Sequence, residues 1–148
     1  FFQAEDGIRD RDVTGDQTCA LPIWKIELTR ENNITATYHD PCDLGRNTGV
    51  YEEPRQVIQA IPGLTYKEMP MNRKFSVCCG GGGNVEMTDP DLSAQVAQSK
   101  LDSVQATGAD TVITACQQCV RTMASRARRQ KIDVQVKDLT ELVVEAMG

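Results

Sequence analysis

An α/β fold, an open and mostly parallel sheet with helices flanking it, is the architecture this 148-residue sequence predicts. Three observations predict it. Short β-branched or apolar runs alternate with stretches of helical character from residue 34 onward. The helical stretches carry their own start signals at Pro54, Asp89-Pro90 and Asp138. All three cysteine groups, Cys42, Cys78-Cys79 and Cys116 with Cys119, follow strand-like runs, and open parallel sheets of this Rossmann-like kind bind ligands beyond the carboxyl ends of their strands.

In chain order, Trp24 to Thr29 alternates briefly and reads as strand or linker, with Asn32-Asn33 as punctuation. Ile34 to Tyr38 is strand-like and delivers His39, Asp40, Pro41 and Cys42 to its carboxyl end. Pro41 has no amide hydrogen to give a ladder, and Gly45 and Gly49 turn the chain away, so Cys42 is expected in a loop. Pro54 opens a helix to about Ala60, which Pro62-Gly63 ends, and Leu64 to Met69 alternates like a strand. Phe75 to Val77 leads into Cys78-Cys79 and four glycines. Asp89 caps a helix with Leu92, Val96, Ala97, Leu101 and Val104 as its apolar or small positions, running to Gly108. Thr111 to Thr114 is a short buried-type strand that hands over to Cys116, and a helix runs from there to about Gln130. Ile132 to Val136 is a further strand, and Asp138 caps a last helix with Leu139, Leu142, Val143 and Met147 on one side.

An apolar content of 40% supports one domain with a modest core. A formal charge of -5 excludes the basic footprint of a nucleic-acid binder. No run approaches the roughly 18 to 20 apolar residues of a membrane span, and no secretion signal is recognisable, so a soluble, cytoplasmic chain is expected.

Residues 1–23 have neither helical nor alternating periodicity. They resemble translated sequencing-adapter read-through at the ends of metagenomic reading frames, and they are expected to be a non-native or disordered leader, Cys19 included. The domain is then 24–148, with 16 acidic and 14 basic residues and five cysteines, an odd number that cannot close into disulfides. It is expected to be the C-terminal fragment of a longer protein.

Thirty-five residues separate Cys42 from Cys78, thirty-six separate Cys79 from Cys116, and two separate Cys116 from Cys119. A Cys-x-x-Cys at a strand-to-helix turn points two thiols at one centre, and the positive end of the helix dipole favours their ionised form. Gly80 and Gly81, with Gly82 and Gly83, remove side chains beside the adjacent pair, so that backbone can approach a bulky inorganic group and offer amide hydrogens. A closed tetrahedral zinc site takes four ligands, so five thiols exceed it by one and suit a multi-iron cluster. Zinc, and free catalytic or disulfide thiols, stay open as alternatives.

The run Tyr38-His39-Asp40-Pro41-Cys42, then Gly49-Val50-Tyr51, Pro54-Arg55, Cys78-Cys79-Gly80 and Cys116-Gln117-Gln118-Cys119, resembles the cysteine-rich CCG domain of heterodisulfide reductase catalytic subunits and related iron–sulfur oxidoreductases. The resemblance covers nearly all of 34–147. It implies one CCG module, the second of two, in an oxidoreductase. It implies Cys42, Cys78, Cys79, Cys116 and Cys119 as ligands of a noncubane four-iron four-sulfur cluster, and thiol–disulfide or quinone-linked electron transfer. It implies redox partner subunits of ferredoxin-like, flavoprotein or membrane quinone-linked type, a disulfide or thiol substrate, and a place in the cytoplasm or on the cytoplasmic face of a membrane complex. A non-catalytic electron relay and a zinc-stapled structural module are the alternatives.

His39, the sole histidine, is a candidate proton donor or acceptor for a departing substrate thiol, but the favoured reading is structural, a brace that hydrogen-bonds the loop presenting Cys42. Asp40 before Pro41 reads as a turn starter. The glycine run lacks the Lys-Ser/Thr of a phosphate loop. Lys100 is expected on the solvent side of its helix, Met69 and Met71 in packing, and the basic run from Arg121 to Lys131 on a solvated face.

Overall fold

A computed structural model of the chain describes residues 26–147. The leader reading, Cys19 and Trp24 lie outside the described residues.

Four strands form one all-parallel sheet: β1 (Thr35–His39), β2 (Thr65–Tyr66), β3 (Thr111–Thr114) and β4 (Gln135–Asp138), in the order β2-β1-β3-β4. The helices are α1 (Glu52–Gln59), the short α2 (Val85–Thr88), α3 (Pro90–Gln105), α4 (Gln117–Gln130) and α5 (Leu139–Ala146). The expected open α/β architecture is the one found. Because side chains alternate across a strand, each face collects its own core. Ala36, Tyr38 and Ile113 pack with Ile58 and Ile61 from α1 and its end, and with Leu139, Leu142 and Ala146 of α5. On the other face Val112 packs with Leu101 and Val104 of α3, Met123 and Ala127 of α4, and Met69, Cys79 and Cys119.

The helix starts obey the cap chemistry read from the sequence. Asp89 accepts a hydrogen bond from the Leu92 backbone N–H at 3.0 Å with Pro90 behind it, and Asp138 forms a capping box with Glu141. α3 buries Ala97, Leu101 and Val104 as its apolar pattern suggests, but its buried face is rotated to take in two polar residues and to leave Leu92 out. Leu92 is exposed, whereas Ser93, Ala97, Lys100, Leu101 and Val104 are buried.

Both short strands are shifted from their expected spans for reasons outside their own residues. β2 leaves the sheet edge early, since Glu68 turns to Arg55 and Met69 dips into the core. β4 starts three residues late, because Lys131 ends α4 in a left-handed conformation (φ 54°) while Ile132 and Val134 pack against the α3–α4 core. Leu28 makes an isolated antiparallel bridge with Met147, so the described part of the run from Trp24 to Thr29, residues 26–29, meets the end of α5 without joining the sheet.

The connections leave β1 and β3 in opposite directions, β1 toward β2 and β3 toward β4, so the crevice between them is the sheet's switch point. His39 and Thr114 are partners in the last register of that pair. Cys42 and Cys116 therefore start from adjacent strand ends.

Candidate functional site

Three segments converge at the carboxyl edge of the sheet. Cys42 opens a π-helical turn, Cys42–Asn47, directly after Pro41, and it is exposed. The expected loop is thus a tight helical turn. Cys78 is exposed and Cys79 buried, at the end of the long connection from β2. Cys116 occupies the N-cap of α4, and Cys119 lies buried in its first turn. All five thiols are unbridged and line one cleft of about 370 Å³, together with Gly81 to Gly83. Sulfur ligand atoms of Cys79 and Cys119 and a ring nitrogen of His39 lie within 4.8 Å of one another.

The glycines do more than expose backbone. The Gly80 N–H points to Cys78 Sγ at 3.3 Å and the Gly81 N–H to Cys79 Sγ at 3.4 Å. A Cβ on Gly80, which has φ of +90°, would stand 2.5 Å from the Ser93 carbonyl oxygen, and one on Gly81 would stand 2.1 Å from Thr122 Oγ1. These two glycines let the cysteine pair nest between α3 and α4. Gly82 and Gly83 have open space around them. Glu86 on α2 closes the loop against α4 by accepting from Gln118 at 3.1 Å and from Arg121 at 2.6 Å.

Crowding shapes the protonation of the thiols. The hydrogen bond with Cys119, supported by burial, pushes the Cys79 thiol up to about 11. The hydrogen bond with Cys79 and burial raise the Cys78 thiol further. Thiols held this close resist becoming adjacent thiolates unless positive charge joins them, and that donor chemistry fits a metal or a cluster of metals.

A buried ion-pair network, invisible to spacing arguments, fixes the strand end that carries Cys42. The Asp40 carboxylate accepts both terminal nitrogens of Arg55, at 2.7 and 2.9 Å, and the Arg73 backbone N–H at 2.7 Å. Arg55 also donates to Glu68 at 2.8 and 2.9 Å and to the Tyr51 carbonyl, and its guanidinium lies 5.2 Å from the Tyr38 ring centroid. Ser76 Oγ donates to the Asp40 carbonyl and Arg46 to the Ser76 carbonyl, which ties the Cys42 turn to the approach of Cys78. Burial alone would push the Asp40 carboxyl up, but Arg55 and the Arg73 amide hold it below the ordinary carboxylate range. Asp40 is a brace, and not the simple turn starter expected of it. The pairing of Asp40 with Arg55 has one sequence trace, the Pro54-Arg55 step on the face of α1 that packs toward the sheet.

His39 is buried, and its Nδ1 has no hydrogen-bond partner. The bracing expected of it falls to Asp40. Burial, and then the neighbouring Lys100, lower the imidazole to about 3, so it is neutral across the physiological range. Lys100 is fully buried, against the expectation of a solvent-facing residue, and its Nζ has no partner either. Met69 is core, as expected, whereas Met71 is about half exposed.

An open parallel sheet that brings cysteine thiols from three separate segments to its switch point defines a class, an α/β domain whose chemistry resides in its thiols. The chain belongs to the CCG cysteine-rich domain family, whose model matches residues 36–124 and so includes all five cysteines. It is 43% identical over 124 residues to a component of the dihydromethanophenazine:CoB–CoM heterodisulfide reductase of Methanosarcina mazei, covering 84% of this chain and 30% of that one. It is 36% identical over 112 residues to a component of the fumarate reductase (CoM/CoB) of Methanothermobacter marburgensis, covering 75% and 22% of the two chains. With a lactate utilization protein of Lysinibacillus sphaericus it shares 35% identity over 108 residues, 73% of this chain and 46% of that one. The chain spans less than half the length of each of these relatives. Among the described residues no helix is long and apolar enough to cross a membrane.

Proposed function

We propose that this domain holds an iron–sulfur cluster in an oxidoreductase of the heterodisulfide reductase type, with Cys42, Cys78, Cys79, Cys116 and Cys119 as its ligands. The observation that carries the reading is the convergence of all five thiols on one cleft from three separately anchored segments. Five thiols and room for a group larger than one ion favour the noncubane four-iron four-sulfur type. When bound, such a cluster supplies one-electron steps.

The chain's own residues hold and orient. Cys79 and Cys119 form a buried floor, and Cys42 and Cys78 an exposed rim. The Gly80 and Gly81 amides stabilise sulfur charge, Asp40 with Arg55 fixes the rim, and His39 stands as a neutral imidazole beside the floor. Breaking a disulfide into two thiols takes two electrons and two protons. Redox partner subunits of ferredoxin-like, flavoprotein or quinone-linked type would deliver the electrons, since this domain offers a site for one redox group.

The grouping of His39 with Cys79 and Cys119 favours a second reading, a single zinc ion on these donors with one further thiol. Anaerobic reconstitution of the full chain with iron and sulfide, followed by metal and sulfide analysis and electron paramagnetic resonance, decides between them. About four irons and four sulfides per chain, lost in Cys79→Ser, is the expected result. Stoichiometric zinc without iron in a folded sample would overturn the cluster.

A further inference from the structure

Lys100 stands out among the buried groups. It lies midway along α3 on the face that carries Ser93, Ala97, Leu101 and Val104 into the core. Its Nζ is buried and donates to no acceptor in the protein. The surroundings narrow what it serves. His39, Asp40, Cys78, Cys79 and Cys119 are the titratable groups around it, and burial lowers its pKa against the opposing pull of Asp40 and the cysteines. Asp40 is the one carboxylate among these, and its oxygens are already taken by Arg55 and the Arg73 amide. His39 offers no compensating charge.

Helix geometry points the same way. Side chains on a helix lean toward its N-terminus, so Lys100 reaches back over Ala97 and Ser93. There α3 carries the cysteine loop: Ser93 Oγ donates to the Gly80 carbonyl at 2.8 Å, and Gly80 packs against the Ala97 backbone. A long cationic side chain is thus directed at the sulfur floor from the protein side. Isolated ammonium groups are rarely left in a protein interior, because burial without a counter-charge is costly.

We propose that Lys100 is the built-in cation of this thiol site, its unpartnered ammonium set behind the Cys79–Cys119 floor and favouring the reduced state of the bound cluster. The proposal rests on the iron–sulfur reading above. A thiolate-ligated cluster is net negative and gains a further negative charge on reduction, and a fixed cation in a low-dielectric site stabilises the more negative state. In the metal-free protein that buried amine has no partner to offset its desolvation. Lys100 therefore opposes the stability of the empty fold and supports the loaded one.

The experiment compares the full chain with Lys100→Met, which keeps length and loses charge and donors, and Lys100→Gln, which keeps donors without charge. Each is melted before and after anaerobic reconstitution, assayed for iron and sulfide, and titrated potentiometrically under electron paramagnetic resonance. Lys100→Met is expected to melt higher than the parent when metal-free. When loaded it should show a reduced-to-oxidised ratio at least tenfold lower at a fixed potential, about 59 mV for a one-electron couple, with Lys100→Gln between the two. A folded Lys100→Met that no longer retains iron also supports the proposal. An unchanged potential in a fully loaded variant overturns it, as does a metal-free protein that Lys100→Met and Lys100→Gln both destabilise or prevent from folding. If the parent chain itself binds no iron and sulfide, the cluster reading fails, and that outcome is distinct from an unresponsive potential.

Discussion

Replacing Arg55 by Met tests whether the site's rim is held by buried electrostatics. The Arg55 and Asp40 side chains are 3% and 2% exposed, so solvent offers neither charge an alternative partner. Arg55→Met deletes two bonds to Asp40, two to Glu68 and one to the Tyr51 carbonyl, together with the stacking over Tyr38. What remains on Asp40 is the Arg73 amide. Removing one partner of a buried pair costs about 3–5 kcal/mol, because the other charge stays buried, and for a domain of this size that lowers the melting temperature by roughly 10–20 °C. The pH dependence has a definite sign. Asp40 has a depressed folded-state pKa, so its pairing contributes stability above the ordinary carboxylate range and loses it as pH falls through the folded value. Without Arg55, burial dominates and raises that pKa, so the variant's deficit is largest near neutrality and shrinks as pH falls through the carboxylate range. Thermal melts of the full chain and the variant, at about pH 7.5 and about pH 4.5, measure both effects. Adding Asp40→Asn to Arg55→Met should recover part of the loss at the higher pH. A melting change under about 3 °C, or an equal deficit at both pH values, would refute the reasoning.

Gly81→Ala should cost about 1–3 kcal/mol through the clash with Thr122 Oγ1, and Thr122→Ala in the same chain should restore part of it; chemical denaturation of single and double variants checks this. Gly83→Ala has open space and pays chiefly for its φ of +61°, so its loss in the same experiment should be about 1 kcal/mol. His39→Asn should leave iron and sulfide content near the parent value if the five cysteines are the ligands, and abolish metal retention if His39, Cys79 and Cys119 hold one ion; metal analysis after desalting tells them apart. Asp138→Ala removes the capping box of α5 and the partner of Gln117, and should lower stability by about 0.5–2 kcal/mol, measured by urea unfolding.

The sheet, the order of its elements and two of the three cysteine groups at its edge were legible because local chemistry decides them; the Cys78-Cys79 pair, expected after a strand-like run, instead follows the 3-10 turn Arg73–Phe75. Asp89-Pro90 and Asp138 cap helices wherever they occur before a suitable run, and Pro41 ends a ladder in any context. What sequence could not show were contacts between residues far apart in the chain. Asp40 looked like a turn residue because Arg55 and Arg73 reach it only in the folded state. Lys100 looked solvent-facing because polar residues usually are, whereas here the facing surface is itself polar, made of the Gly80 carbonyl and cysteine sulfur. β2 ends before Glu68, which pairs with Arg55, a contact that no propensity of Leu64 to Met69 encodes.

The split between a dry floor and a wet rim sets the order in which this site wears out. Cys42 and Cys78 meet dissolved oxidants first, while Cys79 and Cys119 are shielded by the helices that pack over them. Damage therefore begins as a loss of grip on one side, and the inner half of the cradle outlasts it. While oxidation stops at a sulfenic acid or a disulfide, repair amounts to reducing two accessible sulfurs.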